Sequence, residues 1–125
     1  MSLAEESPKS VAKRMVGMGI DRRRAPRYRF IADAEVSEIL SDTKLKAQTS
    51  DLSIGGCFLD MLCPSPKGVE IEVRICHAGG TFTARGRVAF VVPNMGMGVA
   101  FTNVDGSQVA VLQGWVSDLS SDNQL

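Results

Sequence analysis

A chain of 125 residues with an apolar fraction of 44% has room for one core and one domain. No apolar run approaches the roughly 18 residues needed to cross a bilayer, and the N-terminus lacks the charged-then-apolar pattern of a secretory signal, so a cytoplasmic protein is expected. The formal net charge is zero, yet residues 1–29 hold eight Lys/Arg against three Asp/Glu while residues 30–125 hold six against eleven, and a basic segment of that size suits a small anion better than a long polyanion.

In chain order, Ser7-Pro8 forms a plausible helix start, and Val11, Met15 and Met18 recur at helical spacing. Gly17 and Gly19 weaken that helix, so residues 1–20 read as a flexible or marginally helical arm. From Tyr28 the period becomes two. Phe30, Ala32, Ala34 and Val36 alternate with Ile31, Asp33, Glu35 and Ser37. After a turn at Ser41-Asp42, Leu45, Ala47 and Thr49 alternate with Lys44, Lys46 and Gln48. Ile54-Gly55-Gly56 breaks this second strand and residues 57–61 resume. Pro64-Ser65-Pro66-Lys67-Gly68 is a loop, and Val69, Ile71, Val73 and Ile75 then alternate with Glu70, Glu72 and Arg74.

Gly79-Gly80 reads as a hairpin connection into a long strand from Thr81 to Val92, and Met97–Phe101 makes a sixth strand. Six strands on short loops predict a mainly β fold, an antiparallel barrel that is closed or nearly so, because closure removes exposed edges. The C-terminal segment predicts a helix. Asp105 and Gln108 resemble a capping box, and Val109, Leu112, Val116 and Leu119 form an apolar stripe beside Trp115 that would cover one opening of the barrel. Gly114 costs such a helix about 1 kcal/mol relative to alanine.

The three cysteines, Cys57, Cys63 and Cys76, are odd in number and lack CxxC spacing, which predicts reduced thiols and no zinc site. His77, the lone histidine, reads as a solvated turn residue. With no Cys–His or Ser–His pair, no phosphate-binding glycine loop and no paired carboxylates, nothing in the chain points to an enzyme.

Two short motifs carry the chemistry. The first, Arg22-Arg23-Arg24-Ala25-Pro26-Arg27, contains an RxxxR pair at Arg23 and Arg27, and Pro26 keeps it out of a regular helix. Guanidinium forks match phosphate oxygens and the O6 and N7 acceptors of guanine. Alone, such a run is a generic anion-seeking segment. The second, Asp51-Leu52-Ser53-Ile54-Gly55-Gly56, reads DxSxxG. Its carboxylate can accept from the adjacent N–H donors that guanine offers and adenine does not, and Ser53 can donate or accept beside it. Alone, it is a side-chain-stabilised turn closing a hairpin.

In this order and spacing, the two motifs resemble the signature of the PilZ domain family. Gly96-Met97-Gly98-Val99-Ala100-Phe101 and the helix after it are similar to that family's last strand and its continuation. The resemblance spans about residues 21–119, leaving the arm and a short tail, residues 120–125, outside. It implies a six-stranded split barrel and a bacterial, non-enzymatic receptor for the second messenger cyclic di-GMP, with no other cofactor. Carried onto this chain, Arg23 and Arg27 would contact phosphates and guanine edges, Asp51 and Ser53 would read a guanine, and Gly56 would leave room for it. Arg22, immediately before RxxxR, implies a stack of two cyclic di-GMP molecules per chain. Binding would order the N-terminal segment and signal to a downstream protein.

Two alternatives stand beside this. A PilZ-like adaptor would contact proteins and ignore nucleotide. A small nucleic-acid-binding barrel is disfavoured by the acidic body and by only five Phe, one Tyr and one Trp to supply stacking platforms.

Overall fold

The computed structural model describes residues 25–123. The expected arm of residues 1–20, and Arg22 and Arg23 with it, lies outside the described residues. Seven strands and one helix follow in order: β1 (Tyr28–Arg29), β2 (Asp33–Glu38), β3 (Lys44–Ser53), β4 (Gly56–Asp60), β5 (Glu70–His77), β6 (Gly80–Val92), β7 (Gly96–Asn103) and α1 (Gly106–Asn123).

Neighbouring strands run β3-β2-β5-β6-β7-β4, and β4 pairs back onto β3, so six antiparallel strands close a barrel. The seventh, β1, adds two residues to the far end of β3, with Tyr28 opposite Leu52 and Arg29 opposite Asp51. The sequence reads β1 and β2 as one strand because the alternation never falters: Phe30, Ala32, Ala34 and Val36 are all buried. The chain bends between them. The Phe30 N–H donates to the Ser50 carbonyl and the Thr49 N–H to the Ala32 carbonyl, while the buried Thr49 hydroxyl donates to the Phe30 carbonyl. These bonds satisfy backbone groups that no regular ladder reaches.

Alternating apolar side chains fill the barrel: Val36, Leu52, Leu59, Ile71, Val73, Ile75, Phe82 and Met97 have no exposed surface. The β5–β6 hairpin turns through Ala78 and Gly79 at φ 50° and 81°, the pair of positive angles that a two-residue turn needs to match the strand twist.

Helix α1 covers one opening, with Leu112 in the core and Trp115 against Phe30 and Phe82, ring centroids 5.6 and 6.2 Å away. Three sequence expectations change here. The Gln108 side chain does not close a capping box. Its carbonyl oxygen accepts the Thr83 N–H at 2.7 Å and docks the helix on β6. His77 ends β5, and although exposed it is not simply solvated: its ring packs edge-on against Phe30 and Trp115 at 4.7 and 5.3 Å. The helix also runs on to Asn123, taking in residues read as the start of the tail.

Cys57 is buried in the barrel, Cys63 and Cys76 are exposed, and all three thiols are free. Among the described residues no helix is long and apolar enough to cross a membrane, and no group of three or more His, Cys, Asp or Glu side chains is placed to hold a metal.

Candidate functional site

The DxSxxG motif lies on the last residues of β3 and the turn into β4. The position of its carboxylate follows from one extra residue. Thr49 pairs with Leu59 and Asp51 with Phe58, so Ser50 is bulged out of the ladder. Up to Thr49 the odd-numbered residues of β3 face the barrel interior. Beyond the bulge the parity reverses: Leu52 enters the core, and Asp51 turns outward beside Phe58. Without the bulge, Asp51 would be driven into an apolar core at large cost.

The same device operates in β6. Val88 pairs with Val99 and Phe90 with Gly98, so Ala89 is the extra residue and Phe90 faces out. Residues directly opposite in an antiparallel ladder share a face. Asp51, Phe58, Gly98 and Phe90 therefore form one outward row across β3, β4, β7 and β6. In the neighbouring row Ser53 opposes Gly56, and Gly56 opposes Ala100.

The arginine motif reaches this face through β1. Arg29 stands opposite Asp51, which brings Arg27, two residues earlier, level with Ser53. The Arg27 guanidinium lies 3.8 Å from Asp51 Oδ1, and both side chains are partly exposed. The same oxygen accepts the Phe58 N–H at 3.0 Å. Beneath the carboxylate, burial pushes the Cys57 thiol up to about 12. The Asp51 charge adds to that rise and Arg27 opposes it, so this thiol stays neutral.

Ser53 Oγ accepts the Gly55 N–H at 3.1 Å and donates to the Gly56 carbonyl at 3.3 Å. The motif is thus a side-chain-stabilised turn as well as part of a surface site. Gly56 has a structural duty of its own, because a Cβ there would overlap the Val99 carbonyl oxygen across the β4–β7 ladder.

Between these groups runs a groove of about 420 Å³, bounded by Ala25, Arg27 and Ser53 on one side and Ala89 and Phe90 on the other, with Gly56, Gly98 and Ala100 as its floor. Two motifs more than twenty residues apart thereby meet at one concave surface. Of the site residues read from the sequence, the structure brings together Arg27, Asp51, Ser53 and Gly56. Phe90 has no role in the sequence reading, because only the β6 bulge, which has no sequence signal of its own, turns it outward.

The PilZ domain profile matches residues 21–118. The chain belongs to the PilZ domain family. No curated protein matches it in sequence. Solved structures agree in fold at low identity. The PilZ domain of CeSA from a cellulose-synthesising bacterium is 19% identical, with a TM-score of 0.63, over 77% of this chain and 99% of that one. The PilZ domain of Escherichia coli YcgR, solved with c-di-GMP, is 16% identical, with a TM-score of 0.66, over 83% and 95%. The Bacillus subtilis inhibitor of motility MotI is 13% identical, with a TM-score of 0.68, over 85% of this chain and 55% of that one.

Proposed function

We propose that this PilZ domain is a non-enzymatic receptor for cyclic di-GMP acting in the bacterial cytoplasm. The observation that carries the reading is that Arg27 and Ser53 line one groove on the outer face of the barrel while the Arg27 guanidinium lies 3.8 Å from Asp51 Oδ1. Arg27 supplies a guanidinium for a phosphate or for the O6 and N7 edge of guanine. Asp51 supplies a carboxylate for the adjacent N–H donors of guanine, held at a fixed angle by the Phe58 N–H. Arg22 and Arg23 would complete the phosphate contacts and admit a stacked second molecule.

Ala25 lines the groove, so a ligand held by Arg22, Arg23 and Arg27 would draw the preceding arm against the barrel and make it the output to a downstream protein. Deletion of residues 1–20 with every downstream response intact would refute that step.

One observation favours an adaptor that ignores nucleotide: Asp51 and Ser53 both already serve the β3–β4 turn. Calorimetric titration with cyclic di-GMP, with cyclic di-AMP as control, separates the two readings. A receptor binds the guanine ligand alone, at a ratio near two per chain. Replacing Arg27 with alanine should weaken binding about 10- to 100-fold, the scale of one lost charge-assisted contact. No heat from a folded sample would leave the adaptor.

A further inference from the structure

Phe90 is 46% exposed, a large apolar surface to leave in water on a strand whose Phe82, Ala84 and Val88 are all buried. Its orientation is set by backbone geometry. The bulge at Ala89 reverses the alternation and turns the ring out over β7. There it lies against Gly98, where any Cβ would overlap the ring, and Phe58 supports it with centroids 6.0 Å apart and planes inclined by 33°. An aromatic face is thus held in place along one side of the groove that Arg27 and Ser53 bound on the other.

From these contacts we infer that Phe90 is a base-stacking platform, the residue on which a purine ring of the bound nucleotide lies. The inference rests on the receptor reading and adds a contact that neither motif contains. The row from Asp51 through Phe58 and Gly98 to Phe90 crosses three strand spacings, about 14 Å along the wall, and the lean of Phe90 over Gly98 shortens it. That span suits a ligand with two purines, one edge-read at Asp51 and Ser53 and the other stacked on Phe90. Stacking is blind to which edge a base presents, so Phe90 supplies affinity while Asp51 supplies the choice of guanine.

The test uses Phe90→Leu and Phe90→Trp beside the unaltered protein, titrated calorimetrically with cyclic di-GMP. Leucine keeps the apolar cover over Gly98 and removes the π face, so Phe90→Leu should melt near the parent temperature and bind about tenfold more weakly, the scale of one lost stack. Phe90→Trp should bind at parental strength, with an indole emission quenched by ligand beyond any change at Trp115. Parental affinity in Phe90→Leu, or no added quench in a binding-competent Phe90→Trp, would overturn the inference and leave the receptor reading standing. No heat from the unaltered protein would overturn both.

Discussion

The barrel has two walls built on different rules. Across β2, β5 and β6 up to Arg85 the alternation is unbroken. Ala34, Val36, Ile71, Val73, Ile75 and Phe82 point in, and Glu35, Glu70, Glu72, Arg74 and Arg85 point out. The outer charges pair across strands, Arg74 with Glu35 at 3.5 Å and Arg87 with Glu70 at 3.7 Å. Across β3, β4, β7 and the end of β6 three irregularities interrupt the ladders (at Ser50, Ala89 and Thr102), Gly56, Gly96 and Gly98 lie under tight contacts, and Phe58 and Phe90 face outward. The second wall departs from regularity where Phe90 turns out beside the groove and where Asp51 turns out toward Arg27.

If the irregular wall is held by close backbone approach, crowding it should produce the largest effect. Gly56→Ala forces a methyl onto the Val99 carbonyl and separates β4 from β7. A loss at the upper end of the overpacking range, about 3 kcal/mol, is expected from denaturant unfolding. Gly114→Ala is the control. It lies in α1 with open space around its Cα, so the same chemical change should stabilise the protein by up to about 1 kcal/mol. Equal and small effects at both positions would dissolve the distinction between the walls.

That distinction also explains what the sequence could disclose. The regular wall was legible residue by residue, since the period of Val69–Ile75 and the stripe on α1 follow directly from burial of one face. The pairing of the two motifs was legible only through their family resemblance. What stayed hidden lies at the irregularities. The bulges at Ser50 and Ala89 leave no mark in composition, so the outward turn of Phe90 and the parity change that frees Asp51 required the ladders themselves. The small strand β1 was hidden because Phe30 and Ala32 keep the alternation across a bend. Gln108 was read as a local cap because sequence spacing is blind to a partner 25 residues away on β6.

Exposed ion pairs offer a narrower comparison, because Arg74–Glu35 on the regular wall and Arg27–Asp51 on the other are both partly open to solvent. Arg74→Ala removes the pair with Glu35 and should change stability by less than about 1 kcal/mol, with no change in cyclic di-GMP titration. Arg27→Ala removes the pair with Asp51 and should cost equally little stability while sharply weakening binding. A stability loss in Arg27→Ala well above that in Arg74→Ala would make the Arg27–Asp51 pair a structural clasp, and any weakening of binding would then reflect a damaged fold.

The smallest expected effect belongs to the regular wall. At the end of β2, the Ser65 hydroxyl donates to one oxygen of Glu38 and the Ser41 hydroxyl to the other, tying the β4–β5 loop to the β2–β3 turn. These bonds, Ser65 first, hold the Glu38 carboxyl below its ordinary 4.5, with burial opposing them slightly. A depressed carboxyl binds fewer protons folded than unfolded. Its stabilisation is therefore complete above the unfolded value and fades as pH falls through the folded one. The melting temperature of the parent should drop from pH 5 to pH 3 a little more steeply than that of Glu38→Gln, which has no charge to lose. Parallel curves would mean that the serine bonds do not favour the ionised form, and the regular wall would then owe its stability to apolar alternation with no contribution from its polar rim.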